Sequence, residues 1–332
     1  MDIFIICVLL VIGLILIAKG GDYFVDGASW LAEISGIPKF IIGATIVSVA
    51  TTLPEIVVSL ISVKSQPDMA IGNAVGSVVF NAGIIMSIAL IAQPFVIKRK
   101  DYAFKGLLLA VVMLSLCLFS FGDVDLSAIT SETTGRFGYV GAILLLVFFV
   151  VFIIENIISA KKHADEANDD DDKLTVNKVA VTVNLLKLIF GALAIAGGAI
   201  LLKDNAVKLA TKFGMSESVI GVTILAIGTS LPELVTMIIS VKKGSASLSI
   251  GNIIGANIID LSIILPLSAF IAGGAGLFVS NAHLLITMPV TLLIIFIGII
   301  PTLIFKRFSR WQGFTMLAIY LSYFTYNIIS VL

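Results

Sequence analysis

Charge is scarce in this sequence. Asp, Glu, Lys and Arg make up 13% of 332 residues, about half the share of an ordinary soluble domain. No charge excess exists either, since 21 basic residues balance 21 acidic ones. That balance excludes a nucleic-acid binder, which needs a basic face. Cysteine is almost missing. Cys7 and Cys117 both sit in apolar runs, which excludes a secreted disulfide scaffold. Histidine is just as rare, and His163 and His283 fall at expected loops, so a zinc or copper centre lacks its soft ligands. Apolar residues are abundant instead: 59% of the chain, with a mean hydropathy of +1.13. Too little polar surface remains to clothe a soluble globule, and the composition indicates a polytopic membrane protein.

A membrane-spanning helix needs about 20 apolar residues. Ten runs qualify: 1–18, 38–62, 70–97, 103–122, 137–158, 184–202, 218–241, 248–272, 283–305 and 312–331. Stretches such as VGAILLLVFFVVFII do not alternate, which argues against a β-barrel. The start, MDIFIICVLL, has no basic n-region and reads as the first span, not a signal peptide. The expected fold is therefore an all-α polytopic membrane protein with ten transmembrane helices. Orientation follows the distribution of Lys and Arg. One set of loops carries sixteen of them and the other five, namely Lys64, Arg136, Lys203, Lys208 and Lys212. The richer set is expected on the cytoplasmic side, with both termini outside. Trp311 opens the last span, as an interfacial anchor or as packing.

The chain repeats itself. IGATIVSVATTLPEIVVS at 42–59 aligns with IGVTILAIGTSLPELVTM at 220–237, with nine of eighteen positions identical. AIGNAVGSVVFN at 70–81 aligns with SIGNIIGANIID at 249–260, sharing an isoleucine, two glycines and an asparagine. Matches at Gly, Thr, Pro, Glu and Asn are not what chance gives between two oily helices. Each half, 1–158 and 184–332, then holds five spans. An odd number inverts the second half in the membrane, the inverted-topology repeat of many secondary transporters. The repeats occupy about 38–92 and 218–272. Between the halves lies 159–183, with six acids at 165–172, read as a solvated cytoplasmic linker.

Acids inside the spans are few: Glu55, Glu233 and Asp260, with Glu155 near the inner end of its span and close to Lys161 and Lys162, hence interfacial. A charge at mid-membrane costs about 2.5–3.5 kcal/mol even on a lenient scale. No Lys or Arg stands at matching depth in the repeats, so a bound cation is the expected partner. Thr51 lies one turn before Glu55 and Thr229 one turn before Glu233, on the same helix face. Thr52 and Ser230 lie three residues before those glutamates. Ser77 and Asn81 are also spaced by one turn, as are Ala256 and Asp260. Hydroxyl, amide and carboxylate oxygens suit hard cations such as Na⁺ and Ca²⁺. Pro54 and Pro232 free the carbonyls of Ala50 and Gly228, and in a membrane broken backbone is tolerated only where it is buried in protein or lines a cavity. Asn73, Asn252 and Asn257 read as interhelical glue, and Gly72, Gly76, Gly251 and Gly255 as close-packing positions.

ATTLPE at 50–55 and GTSLPE at 228–233 resemble the two α-repeats of the sodium/calcium exchanger family, of prokaryotic type, within the wider calcium/cation antiporters. GNAVGSVVFN at 72–81 and GNIIGANIID at 251–260 are similar to the later part of each repeat. The resemblance implies an antiporter that exchanges Na⁺ for Ca²⁺ by alternating access. It also implies a cell-membrane location, no enzymatic activity and no prosthetic group. Its ion ligands match Glu55 and Glu233, with Thr51, Thr52, Thr229 and Ser230 beside them. Backbone carbonyls one turn earlier match Ser48 and Ala226, and the polar residues of the later helices match Ser77, Asn81 and Asp260. One position departs, because a serine common in the family is Ala256 here. An aspartate at the place of Asp260 occurs in potassium-dependent relatives and in others, which leaves K⁺ or H⁺ coupling open. A cation channel and an intramembrane acid protease are the alternatives of other classes. Two inverted proline-broken helices in one chain favour alternating access over a pore, and no peptide-binding signature accompanies the acids. As a solvated linker, 165–172 should tolerate replacement of its six acids by Ser with transport unchanged. A shifted cation activation curve in proteoliposomes would instead give the acids a recruiting role.

Overall fold

The computed structural model describes residues 3–63, 68–121, 133–168, 178–213, 226–274 and 276–331. Nearly all of them are helical. Among the described residues seven helices are long and apolar enough to cross a membrane, against the ten expected.

Helix α1, Ile3–Ser35, is one rod of 33 residues. The expected first span stopped at residue 18, whereas the helix runs on through Gly20, Gly21 and Asp22. Gly20 packs against another helix, α8, Lys178–Lys212, while Gly21 meets Val235 and Ile239 and Asp22 pairs with Lys243. α1 and α8 run antiparallel, and small residues let their backbones touch. A Cβ on Gly20 would lie 2.8 Å from Ala194 Cβ and 2.9 Å from the Gly191 carbonyl. Gly13 meets Gly198 in the same way, and Gly27 meets Asn184. Close backbone approach of this kind is how helices associate in lipid, where no hydrophobic force drives them together. The outer faces of both helices are apolar and exposed, as at Phe4, Leu14, Phe190 and Leu193.

The first repeat begins with α2, Lys39–Ile42, a π-helical turn at Gly43–Val47, and α3, Ser48–Ser62. It continues through α4, Asp68–Phe80, a second π turn at Asn81–Met86, and α5, Ser87–Ala92. Residues 93–98 are not helical, so the span expected to reach 97 ends earlier. There Val96 bridges Arg307, and the Ile97 amide donates to the Lys306 carbonyl at 3.1 Å. Then follow α6, Arg99–Ser120, strand β1, Gly135–Phe137, and α7, Tyr139–Asn168. α7 carries Asp165 and Glu166 as helix, so the linker is shorter than 159–183. Residues 169–177 lie outside the described residues.

In the second half, α8 is followed by α9, Ala226–Thr229, and α10, Leu231–Lys242. Next come α11, Ala246–Ile259, a π turn at Asp260–Ile264, and α12, Leu265–Ala272. Strand β2, Leu277–Val279, leads into a π turn at His283–Thr287, then α13, Met288–Phe305, and α14, Arg310–Val331. β1 and β2 pair antiparallel, with Arg136 opposite Phe278, a short ribbon that an all-α expectation missed. Both histidines expected in loops are helical: His163 in α7 and His283 opening its π turn.

Burial sorts the helices. The stretches Ala70–Ala92 and Ala246–Ala272 are 78% and 83% buried in their most apolar windows, against 22% for α1 and for α8. The two later repeat helices are therefore the interior, and α11 is its axis. Gly251 and Gly255 bring α11 against the first repeat: a Cβ on Gly251 would strike the Phe40 carbonyl, and one on Gly255 would lie 2.6 Å from Ser48 Oγ. Gly72 meets only the His283 ring at 3.2 Å, and Gly76 meets nothing within 4 Å among the described residues. Close packing holds for the second glycine pair.

Polar contacts tie the chain at two ends. At one end Lys39 pairs with Glu33 and Ser245, Lys243 with Asp22 and Asp26, and Lys100 with Glu166. At the other, the β1–β2 ribbon joins two loops, and Asn281 donates to the Thr133 carbonyl at 3.2 Å. Glu155 was expected beside Lys161 and Lys162. It instead pairs with the fully buried Lys105 of α6 at 2.5 Å, and His163 Nε2 lies 3.2 Å from Asp101. The α6–α7 contact is thus ionic at its core. Removing one partner of a buried pair strands the other charge, at about 3–5 kcal/mol. Glu155→Gln should lower the unfolding temperature in detergent by several degrees, and the double variant Lys105→Met, Glu155→Leu should recover most of it.

Candidate cation-binding site

The repeated motifs meet at the centre of the bundle. Glu55 comes from α3, Glu233 from the first turn of α10, and Asp260 from the π turn after α11. All three are buried at 2% exposure or less. The proline motifs differ in backbone. α3 runs through position 54 without a break. In the second motif the helix breaks at Ser230 (φ −93°, ψ 13°), and Pro232 sits in the first turn of α10. There its missing N–H loses no helical partner. The expected pair of half-helices is therefore seen at Ser230 and not at position 54.

Glu55 Oε1 accepts from Ser77 Oγ at 3.1 Å and from Ser230 Oγ at 3.5 Å, so both halves reach one carboxylate. Ser77 Oγ also lies 3.4 Å from Thr229 Oγ1. Asp260 and Glu233 stand within electrostatic reach of Glu55. Thr51 Oγ1 donates to Asn252 Oδ1 at 3.1 Å, and Asn81 Nδ2 to Asn257 Oδ1 at 3.1 Å. Asn73 Nδ2 donates to Ser59 Oγ at 2.7 Å. The three asparagines read as glue do bind across helices, and two of them hold Thr51 and Asn81 in place.

The remaining oxygens carry the chemistry. Among the described residues no hydrogen bond of ordinary geometry reaches Glu55 Oε2, either oxygen of Glu233 or either oxygen of Asp260, although the Thr51 hydroxyl lies close to Glu233 and the Glu55 and Asp260 carboxyl groups lie against each other. Thr52 Oγ1 and the Asn81 carbonyl oxygen are also without partners. Buried polar atoms are nearly always satisfied, and an unpaired buried carboxylate is among the costliest exceptions. Carboxylates so placed need a cation or a shared proton to offset their charge. No three acidic, histidine or cysteine side chains among the described residues converge into a metal cage by themselves. Hydroxyl, amide and carbonyl oxygens would have to complete any coordination.

Ser48 is buried at the start of α3, its Oγ donating to the Thr45 carbonyl at 3.0 Å. Ala226 opens α9. Ala256 is fully buried, one turn before Asp260. Two features escaped the sequence reading. Asn81 and Asp260, equivalent in the repeats, each begin a π turn, a distortion that recurs at functional sites. Lys203, read as an outer-loop cation, lies in α8 and lines a small cavity with Glu55, Thr229 and Pro232.

A largely helical membrane protein with paired buried acids at the meeting of two sequence repeats belongs to the class of ion transporters. The sodium/calcium exchanger protein family model matches residues 5–157 and again 183–329. The chain belongs to that family. The inner membrane protein YrbG of Escherichia coli is 35% identical over 274 residues, covering 80% of each chain. The sodium/calcium exchanger MaX1 of Methanosarcina acetivorans is 29% identical over 346 residues, covering 95% of this chain and 96% of its own. Among solved structures, the sodium-calcium exchanger NCX_Mj soaked with 10 mM Na⁺ superposes with a TM-score of 0.80 at 26% identity, over 96% of this chain and 98% of its own. Its fold is this chain's fold.

The asparagine bridges yield a stability prediction. Asn257→Ala leaves the buried Asn81 amide without its acceptor and should cost about 1 kcal/mol. Thermal unfolding in detergent should show a drop for Asn257→Ala, and no further drop when Asn81→Ala is added.

Proposed function

We propose that this protein is a secondary antiporter that exchanges Na⁺ for Ca²⁺ by alternating access. On this reading the chain crosses the membrane ten times, as two inverted halves of five helices, 1–158 and 184–332. Both termini face outside and the 159–183 region faces the cytoplasm. The two matches of one family model to the two halves support the duplication. The grouping of Lys39, Lys100 and Lys243 contacts at one end and of the β1–β2 ribbon at the other supports an odd number of crossings per half.

One observation carries the functional reading: five buried carboxylate oxygens without a hydrogen bond of ordinary geometry, contributed by both repeats. Glu55 and Glu233, when ionised, carry a formal charge of −2, which one Ca²⁺ neutralises. Several Na⁺ sharing the same two carboxylates neutralise it at least as well. Thr51, Thr52, Thr229, Ser230, Ser77 and Asn81 would complete the shells, with backbone carbonyls at Ser48 and Ala226. A site without cations keeps uncompensated charge in a low-dielectric interior, which penalises the passage between inward-open and outward-open forms. A loaded site can make the passage, and exchange follows from that difference. Ala256 supplies no oxygen, so coordination beside Asp260 falls to fewer ligands than a serine there would give.

Asp260 is a third carboxylate beside two that already match Ca²⁺. It supports a second reading, in which a proton or K⁺ joins the cycle. Uptake of ⁴⁵Ca²⁺ into proteoliposomes loaded with Na⁺, Li⁺, K⁺ or choline separates the readings, with a pH jump as its own arm. Uptake driven by outward Na⁺ alone is expected. Uptake driven only by a proton gradient would overturn Na⁺ coupling. Glu55→Gln and Glu233→Gln should each reduce Ca²⁺ uptake to background while the protein remains monodisperse. Exchange at the unmodified rate in either variant would remove that glutamate from the site.

A further inference from the structure

We infer that His163 of α7 and Asp101 of α6 form a proton-binding site, apart from the cation centre, that fastens the C-terminal turns of α7 to α6. His163 Nδ1 lies 2.8 Å from the Ser159 carbonyl oxygen, one turn earlier in α7. A carbonyl oxygen only accepts, so Nδ1 carries the hydrogen of that bond. A neutral imidazole has a single N–H, so a neutral His163 would present a bare lone pair at Nε2. Nε2 lies 3.2 Å from Asp101 Oδ1, and an ionised carboxylate is itself acceptor-only. Two lone pairs would then face each other. Water does not relieve them: Asp101 is 5% exposed and His163 8%. Among the described residues no other group hydrogen-bonds to Nε2 or to Oδ1. One added proton turns this repulsion into an ion pair between an imidazolium and a carboxylate. The proton rests on the ring, because an imidazole is the stronger base by about two to three pH units.

The charges around the pair lead to the same place. Lys105 and Glu155 meet at 2.5 Å in the same helix contact, and Asp101 stands within electrostatic reach of Lys105. Two acids against one lysine leave one negative charge, and the protonated ring cancels it. Further out, Lys100 pairs with Glu166 at 3.6 Å, both half-exposed. Lys162 is exposed, as is Lys98. Lys39 and Lys98 line a second cavity with Asp101, and Lys39 pairs with Glu33 at 3.4 Å. Water and salt screen these outer lysines far more than the buried pair. A cavity of about 360 Å³, lined among others by Lys100, Asp101, Ser159, Lys162 and His163, gives the proton a way in from solvent. The sign of the effect follows from linkage. The folded protein binds a proton here that the unfolded chain holds less firmly, so the stabilisation is present at low pH and is lost as the ring deprotonates on raising the pH.

The test reads the ring directly. The chain has two histidines, so ¹⁵N-histidine labelling of the purified full-length protein gives two ring signals, and His283→Gln assigns them. His163 should show both nitrogens protonated at about pH 7, where a free imidazole is mostly neutral. It should pass to the Nδ1–H tautomer as the pH rises. Asp101→Asn offers Nε2 an amide hydrogen in place of a lone pair, so its His163 should already be neutral at about pH 7. Thermal unfolding in detergent is the second readout. The midpoint of the unmodified protein should fall by several degrees from about pH 6 to about pH 9, and Asp101→Asn should lose most of that fall. A neutral His163 ring at about pH 7 in the unmodified protein, or the Nε2–H tautomer at any pH, would overturn the inference. An equal pH slope in Asp101→Asn would overturn it too. The ring signals of the unmodified protein decide even where the variant fails to fold.

Discussion

Three carboxylates buried together, with most of their oxygens unanswered by the protein, are the constraint around which this molecule is built. Such a group cannot be stabilised by packing, because every apolar neighbour makes its charge more expensive. The chain does place one donor pair on it, the Ser77 and Ser230 hydroxyls on Glu55 Oε1. Those two bonds come from opposite repeats, so the carboxylate is also a joint between the halves. The asparagines act one step further out. Asn252 and Asn257 bind Thr51 and Asn81 and so fix them beside the acids. The interior thus divides into polar groups that lock the helices and polar groups left open toward a cation.

The surrounding architecture serves that division. α11 must come close to α2 and α3 for the two repeats to share ligands, and Gly251 and Gly255 make the approach possible. Away from the centre, α1 and α8 pair along a seam of Gly13, Gly20, Gly191 and Gly198 and expose their outer faces. Their contact with the core is narrower, centred on Gly21 against Val235 and Ile239 of α10. Phe24, Val25, Ala28 and Ile195 of the pair also share a buried apolar cluster with Ile42, Val47, Ile239 and Leu248 of the core. The core itself is stiffened at the α6–α7 contact by the buried Lys105–Glu155 pair.

Much of this was legible in the residues. The repeated Thr-x-x-x-Glu spacing holds on one continuous helix for Thr51 and Glu55, but the break at Ser230 puts Thr229 and Glu233 on different helices, with Thr229 beside Ser77; both glutamates and Asp260 still meet at the centre. Hydropathy marked ten runs, whereas seven helices among the described residues are long and apolar enough to cross a membrane, and it cut α1 short. The apolar run ends at residue 18, and the helix continues through Gly20, Gly21 and Asp22 where α8, α10 and Lys243 meet it, tertiary partners that hydropathy does not record. Glu155 was assigned to its sequence neighbours Lys161 and Lys162 because tertiary partners fifty residues away leave no local signal. The π turns were equally hidden. They depend on a ladder of hydrogen bonds slipping by one residue, which no pattern of residue types records.

The two repeats have diverged where the chemistry is, and the divergence is directional. Ser77 becomes Ala256, and Asn81 becomes Asp260, so the second half gives up a hydroxyl and gains a full negative charge. Position 54 stays inside a continuous helix, whereas the second motif breaks at Ser230. Lys203 closes on that same break, through a glycine that the first repeat replaces with Ala50. An added acid and an added base on one half offset each other in net charge but not in position. The acid lies at the centre of the bundle, and the stem of the base lies at the cavity beside it. The two sequence repeats thus share the paired glutamates and differ in the charges placed around them.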